Sequence, residues 1–186
     1  MRKAVLTDKE KIIEILKTSF QGNKSIDFVV KQDSKRDIRT KLLMEYSFYK
    51  GMNYGEVFIS EDEKACCILL RPEKEKLTLS SILWDIKLLF HCIGIENLFK
   101  VLKREKLLKK NHPKTKFIHL WYIGVLPKYQ GQKKGSDLAK KIFTLYEKDN
   151  IYLETSTYKN LPFYERLGFK IINKLNLGYD LYVLKK

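Results

Sequence analysis

Leu120-Trp121-Tyr122-Ile123-Gly124-Val125-Leu126-Pro127-Lys128-Tyr129-Gln130-Gly131-Gln132-Lys133-Lys134-Gly135-Ser136 reads as an apolar strand that runs into a glycine-containing turn and then a helix. Such a junction aims several backbone N–H groups outward beside a helix N-terminus. Their partial positive charge suits a phosphate or pyrophosphate. Gly131 and Gly135 permit tight turning and close approach of the backbone, and Lys133 and Lys134 add charge. The same pattern also occurs as plain α/β architecture. It is not a Walker loop, since no Gly-Lys-Ser or Gly-Lys-Thr follows, and the G-x-G-x-x-G of dinucleotide sites is missing.

Outward from this stretch the periodicities alternate. Downstream, 135–148 is helical with Leu138, Ile142 and Leu145 on one face, Ile151 to Glu154 is a strand, and Asn160 to Leu167 is a short helix stopped by Gly168. Phe169 to Leu177 and Tyr179 to Leu184 make an antiparallel pair around Gly178. Upstream, residues 2–6 form a first strand and a helix follows from Thr7, with Glu10 as capping-box partner and Gly22-Asn23 as its stop. A second helix runs from Ser34 or Arg36 to Tyr49, with Ile38, Leu42, Met44, Tyr46 and Tyr49 as buried candidates. Gly51 and Gly55 bracket a turn. Glu56 to Ser60 and Ala65 to Arg71 form a hairpin, and two helices, Thr78 to Phe90 and Ile95 to Leu108, break near Gly94. The order β-α-α-β-β-α-α-β-α-β-α-β-β predicts one α/β domain over 1–186, with a mixed sheet and helices on both faces.

At 44% hydrophobic and 12% aromatic, the 186 residues are far from the composition of a disordered chain. Cys66, Cys67 and Cys92 are odd in number and lack metal spacing such as C-x-x-C, so reduced thiols in the cytoplasm are expected and no metal site is. The N-terminus has no signal-peptide run. The stretch from Leu77 to Ile95 carries Asp85, Lys87 and His91 and is too polar for a membrane span, so no membrane partner is expected. The formal net charge is +15, from 37 Lys and Arg against 22 Asp and Glu. Between Lys100 and Lys116 lie eight basic residues opposed only by Glu105. Such a run is usually a solvated helix face, and a nucleic-acid stripe is the sharper alternative.

Two motifs carry a resemblance. Val125 to Ser136, V-x-P-x-x-Q-G-x-x-x-G-S, resembles the acetyl-CoA motif Q/R-x-x-G-x-G/A of the GNAT superfamily. Gln130 and Gly135 match, and Lys133 replaces the middle glycine. Leu153-Glu154-Thr155-Ser156 followed by Asn160-Leu161-Pro162-Phe163-Tyr164-Glu165-Arg166-Leu167-Gly168-Phe169 is similar to the ending common in these enzymes, particularly in the puromycin N-acetyltransferase-like branch. The resemblance covers residues 117 to about 172. It implies the GNAT fold, with a mostly antiparallel sheet and splayed fourth and fifth strands. It also implies direct transfer of an acetyl group from acetyl-CoA to a primary amine of a small molecule or protein. Ile123, Gly124 and Val125 would line the pantetheine, and Gln130, Gly131, Gln132, Lys133, Lys134, Gly135 and Ser136 the pyrophosphate, with Asn160 and Phe163 nearby.

Three side chains are candidates for the chemistry. Tyr164 matches the position that sits near the thioester sulfur, and its phenol can protonate a leaving thiolate; packing of the helix is its structural role. His119 falls on the fourth strand, where 119, 121, 123 and 125 share a face by the period of two. A neutral imidazole there can accept a proton, or it can be a core histidine satisfied by hydrogen bonds. Glu154 is the rival base or ammonium anchor, and equally a structural acceptor where strands splay. The alternatives to an acetyltransferase are a basic module for nucleic acid or the ribosome, and a GNAT domain that binds acetyl-CoA without turnover.

Overall fold

A computed structural model describes residues 1–186. Seven strands form one sheet in the order β1-β2-β3-β4-β5-β7-β6. They are β1 (Arg2–Lys3), β2 (Gly55–Ile59), β3 (Ala65–Leu70), β4 (Ile118–Val125), β5 (Ile151–Thr155), β6 (Lys170–Asn176) and β7 (Asp180–Lys185). The helices are α1 (Lys9–Ser19), α2 (Lys24–Val29), α3 (Arg36–Tyr54), α4 (Leu79–Leu88), α5 (Leu98–Asn111), α6 (Lys134–Leu145) and α7 (Leu161–Arg166). All neighbouring strands are antiparallel except β4 and β5.

The sheet divides two apolar layers. On one face Ile12, Ile15 and Leu16 of α1 and Leu43, Met44 and Phe48 of α3 pack on Val57, Ile59, Cys66 and Ile68. On the other, Leu138, Ala139 and Ile142 of α6 and Leu161 and Tyr164 of α7 pack on Phe58, Cys67, Leu69, Ile118 and Leu153. This is the period-two alternation of a sheet covered on both sides. All three cysteines are free and buried, and burial pushes the Cys92 thiol up to about 12.

Three local expectations change. Asn23 does not stop a helix; its side chain accepts from the N–H groups of Ser25 and Ile26 and starts α2. Gly51 lies inside α3 rather than in a turn. A Cβ there would stand 2.7 Å from side-chain carbons of Ile68 and Val57, so glycine lets α3 lie close on the sheet. Ile38, expected in the core, is on the exposed side of α3.

Candidate active site between the diverging strands

β4 and β5 pair in parallel only at Ile118 with Ile151 and His119 with Tyr152. β4 continues to Val125 and β5 to Thr155 without further pairing, so the strands part and leave a wedge in the sheet. A cavity of about 680 Å³ opens at the wedge, with His119, Ile123, Glu154, Asn160 and Tyr164 among its walls. That volume falls within the usual range for small-molecule sites.

β4 does not alternate regularly. Ile68 pairs with Tyr122 and Leu69 with Leu120, so Trp121 is an extra, bulged residue. The expectation that 119, 121, 123 and 125 share a face is corrected by this bulge. Ile123 and Val125 pack with the α6 layer, whereas Trp121 and Tyr122 pack with the α1 and α3 layer. Gly124 is buried against α1, where a Cβ would come 2.4 Å from Ser19 Oγ. Its lack of a side chain therefore serves helix packing.

The turn after β4 presents a cradle of donors. The N–H groups from Gly131 to Ser136 donate to no protein acceptor; the first inward bond of α6 runs from Asp137 N to Lys133 O. The polar side chains of the turn mostly hold the turn itself. Gln130 Nε2 donates to Val125 O at 3.1 Å, Gln132 Nε2 donates to Lys128 O at 3.2 Å, and Lys134 Nζ pairs with Asp62 at 2.6 Å. Gly135 lets α6 approach β4, since a Cβ would sit 3.1 Å from Val125 Cγ2. Free amides at the start of a helix fit a pyrophosphate.

Gly131 and Lys133 both take left-handed backbone angles, φ +76° and +62°. For a lysine this costs about 1–2 kcal/mol, so the missing motif glycine is tolerated rather than bypassed. Lys133→Gly should relieve that strain, partly offset by about 0.4–1 kcal/mol of extra freedom in the unfolded chain. The expected result is a melting temperature raised by about 1–4 °C. A lowered melting temperature would mean that the lysine side chain contributes more than the strain costs.

On the α1 and α3 side of the wedge, His119 Nε2 lies 2.6 Å from Glu154 Oε2, and both groups are mostly buried. Burial opposes ionisation of Glu154. The neighbouring imidazoles of His119 and His112 and the guanidinium of Arg104 outweigh it and hold the carboxyl well below the usual carboxylate range. An ionised carboxylate only accepts hydrogen bonds, so Nε2 is the nitrogen of His119 that donates to Glu154 Oε2. Tyr164 is buried against Phe163 and Phe169, with ring centroids 5.1 and 5.8 Å away. Burial pushes its phenol up, which keeps it protonated. Asn160 is exposed at the cavity and makes no capping bond with its side chain.

Two participants were missed in the sequence. His112, at the end of α5, sits 3.8 Å from Glu154 Oε1, and its Nε2, Glu154 Oε1 and the Tyr152 hydroxyl are buried without partners. Arg104 is not part of the solvated basic face. It turns inward, pairs with Glu105 at 2.6 Å and donates to the Tyr179 hydroxyl at 3.3 Å. Its place in the i, i+3, i+7 row with Val101 and Leu108, both buried, is the signal that could have found it.

Residues 99–171 match the model of the acetyltransferase (GNAT) domain. A histone acetyltransferase-related acetyltransferase from Corynebacterium glutamicum superposes with a TM-score of 0.71 at 17% identity, covering 100% of this chain and 93% of that one. Arylalkylamine N-acetyltransferase 2 from Aedes aegypti gives 0.64 at 13%, over 100% and 96% of the two chains. The polyamine N-acetyltransferase of Drosophila melanogaster gives 0.64 at 12%, over 99% and 96%. Family model and architecture point the same way: residues 99–171 match that family's model, and the whole chain has the fold of GNAT acetyltransferases.

Proposed function

We propose that the chain, acting as one domain, transfers an acetyl group from acetyl-CoA directly to a primary amine, in a reducing compartment that leaves its thiols free. The observation that carries this reading is the wedge between β4 and β5, lined by His119 and Glu154, together with the free amides of 131–136 in the turn into which β4 runs. When bound, acetyl-CoA would supply the activated thioester. Gly131 to Ser136 would hold its pyrophosphate by backbone N–H groups, and Gly135 allows close approach. Ile123 and Val125 would offer backbone groups to the pantetheine, although Val125 O already accepts from Gln130. Asn160 and Phe163 would border its thioester end.

On the acceptor side, Glu154 orients His119 by accepting from its Nε2, and Nδ1 is the ring nitrogen left to take the proton from the ammonium. Tyr164 returns a proton to the departing sulfur. The finer assignment to the puromycin N-acetyltransferase-like branch rests on the L-E-T-S and F-Y-E-x-x-G-F stretches. The Aedes and Drosophila enzymes, by their names, act on arylalkylamines and polyamines, which makes small amines the first acceptors to try.

Calorimetry and thermal melts with acetyl-CoA, followed by thiol release against an amine panel, test this. At a free concentration a hundred times Kd, linkage should add about 2.7 kcal/mol of stability. Absence of binding at millimolar acetyl-CoA would overturn the reading. Binding without turnover on any amine would favour a non-catalytic acetyl-CoA sensor instead.

A further inference from the structure

α4 and α5 join β3 to β4, and each shows an outward stripe that no part of the chain covers. On α4 and the wider helical turn Leu89–Ile93 that continues it, Leu79, Leu83, Ile86 and Phe90 follow the i, i+4, i+7, i+11 spacing of one helix face. All are exposed, Leu79 to 83% and Leu83 to 67%. The opposite face is the one that packs: Trp84 stacks on Tyr49 of α3 at 5.3 Å, and Asp85 accepts from the Tyr46 hydroxyl at 2.8 Å. Ile95, in the turn between the helices, is exposed as well. α5 carries an exposed apolar pair of its own in Phe99, 82% exposed, and Leu102. The helix then becomes basic on the same face, at Lys103, Lys106 and Lys110.

A solvated helix face does not explain so many large apolar groups in water. The charge around them has one sign. Lys87, Lys100, Lys103, Lys106, Lys109 and Lys110 form no ion pair, whereas Glu96 and Glu105 are neutralised by Lys31 and Arg104. Asp85 keeps its charge but faces α3, where it accepts from the Tyr46 hydroxyl.

We propose that this outward face of α4 and α5 docks on the surface of an anionic lipid bilayer, with Leu79, Leu83, Phe90 and Phe99 in the acyl boundary and the lysines among the headgroups. Apolar side chains flanked by lysine are the composition of a helix that lies in a membrane interface. The lysines add attraction to negatively charged headgroups. No helix is long and apolar enough to cross a membrane, so the chain rests on the bilayer. This surface partner is one that the polarity of Leu77 to Ile95, read only as a failed span, does not foresee. A second copy is the poorer occupant, because pairing the stripes brings the lysines of two chains of formal charge +15 together. Nucleic acid would use the lysines and leave Leu79, Leu83 and Phe99 in water.

Co-sedimentation of the full chain with vesicles tests the docking. Vesicles of phosphatidylcholine with one quarter phosphatidylglycerol should pellet the protein in a salt-sensitive way, and pure phosphatidylcholine should not. Leu83→Glu with Phe99→Glu, exposed positions whose change leaves the core intact, should cut binding by about tenfold or more. So should Lys100→Gln, Lys103→Gln, Lys106→Gln and Lys110→Gln together. Thermal melts confirm that the variants fold, and the acetyl-CoA affinity of the wild type is measured separately, so failure here does not touch the transferase reading. Equal binding by the wild type and the Leu83/Phe99 variant would overturn the proposal. So would RNA binding that depends only on the lysines, or a dimer in free solution that Leu83→Glu with Phe99→Glu dissociates.

Discussion

Tyr164→Phe should fold normally, bind acetyl-CoA as tightly as the parent and lose about 10²- to 10⁴-fold in kcat, the range that general acid catalysis supplies. Three features separate this outcome from a packing defect. The ring packs edge-on against Phe163 and Phe169, and phenylalanine keeps that packing. The phenol hydroxyl makes no hydrogen bond within the protein, so its removal leaves no orphaned partner and costs little stability. Burial keeps the phenol protonated, the state needed to donate when sulfur gathers charge. Its contribution therefore belongs to the transition state and should reduce kcat more than it raises KM. Steady-state kinetics with an identified amine, together with a thermal melt, reads all three. A variant within about threefold of the parent in kcat would remove Tyr164 from the chemistry and leave a solvent water as the proton donor.

The strand, turn and helix from Leu120 to Ser136 are legible because short-range rules govern them: an apolar run, a proline, two glycines and an amphipathic helix. Most elements follow for the same reason, and α2 is missed because Asn23 can close one helix or cap the next. What is not legible depends on distant parts of the chain. The bulge at Trp121 arises from the pairing of β4 with β3. It places His119 on the opposite side of the sheet from Ile123 and Val125, a separation no period of two contains. The association of His119 with Glu154 across 35 residues needs the parallel register at Ile118 and His119. His112 reaches Glu154 only because the chain after α5 turns straight back into β4. Lys133 is the reverse case. The motif position was readable, but not that a lysine would accept the left-handed angle expected of glycine.

The pairing of His119 with Glu154 predicts the second large effect. Glu154→Gln keeps the volume and an acceptor for the His119 Nε2 proton, so the ring should stay in place. What is lost is the negative charge that favours an imidazolium over a neutral ring. Proton uptake at Nδ1 then becomes harder in the step where the amine must be deprotonated, and kcat should fall by about 10²-fold or more. Acetyl-CoA affinity should hold, because the amides of 131–136 do not touch this pair. Stability gives an independent reading. The carboxyl is held below its usual range in the fold, so its charged form contributes stability above an unfolded pKa of about 4.3. That contribution is lost as pH falls through the lower folded value. At pH 7 Glu154→Gln should therefore cost about 1–3 kcal/mol, the size of a hydrogen bond to a charged group, and the gap from the parent should narrow on acidification below about pH 4. If Glu154 were only a backbone-spacing residue at the end of β5, the stability cost could remain while kcat stayed within about threefold. Kinetics at saturating amine, paired with melts at pH 7 and at low pH, separates the two roles. An unchanged kcat would return the proton-accepting role to a water in the wedge.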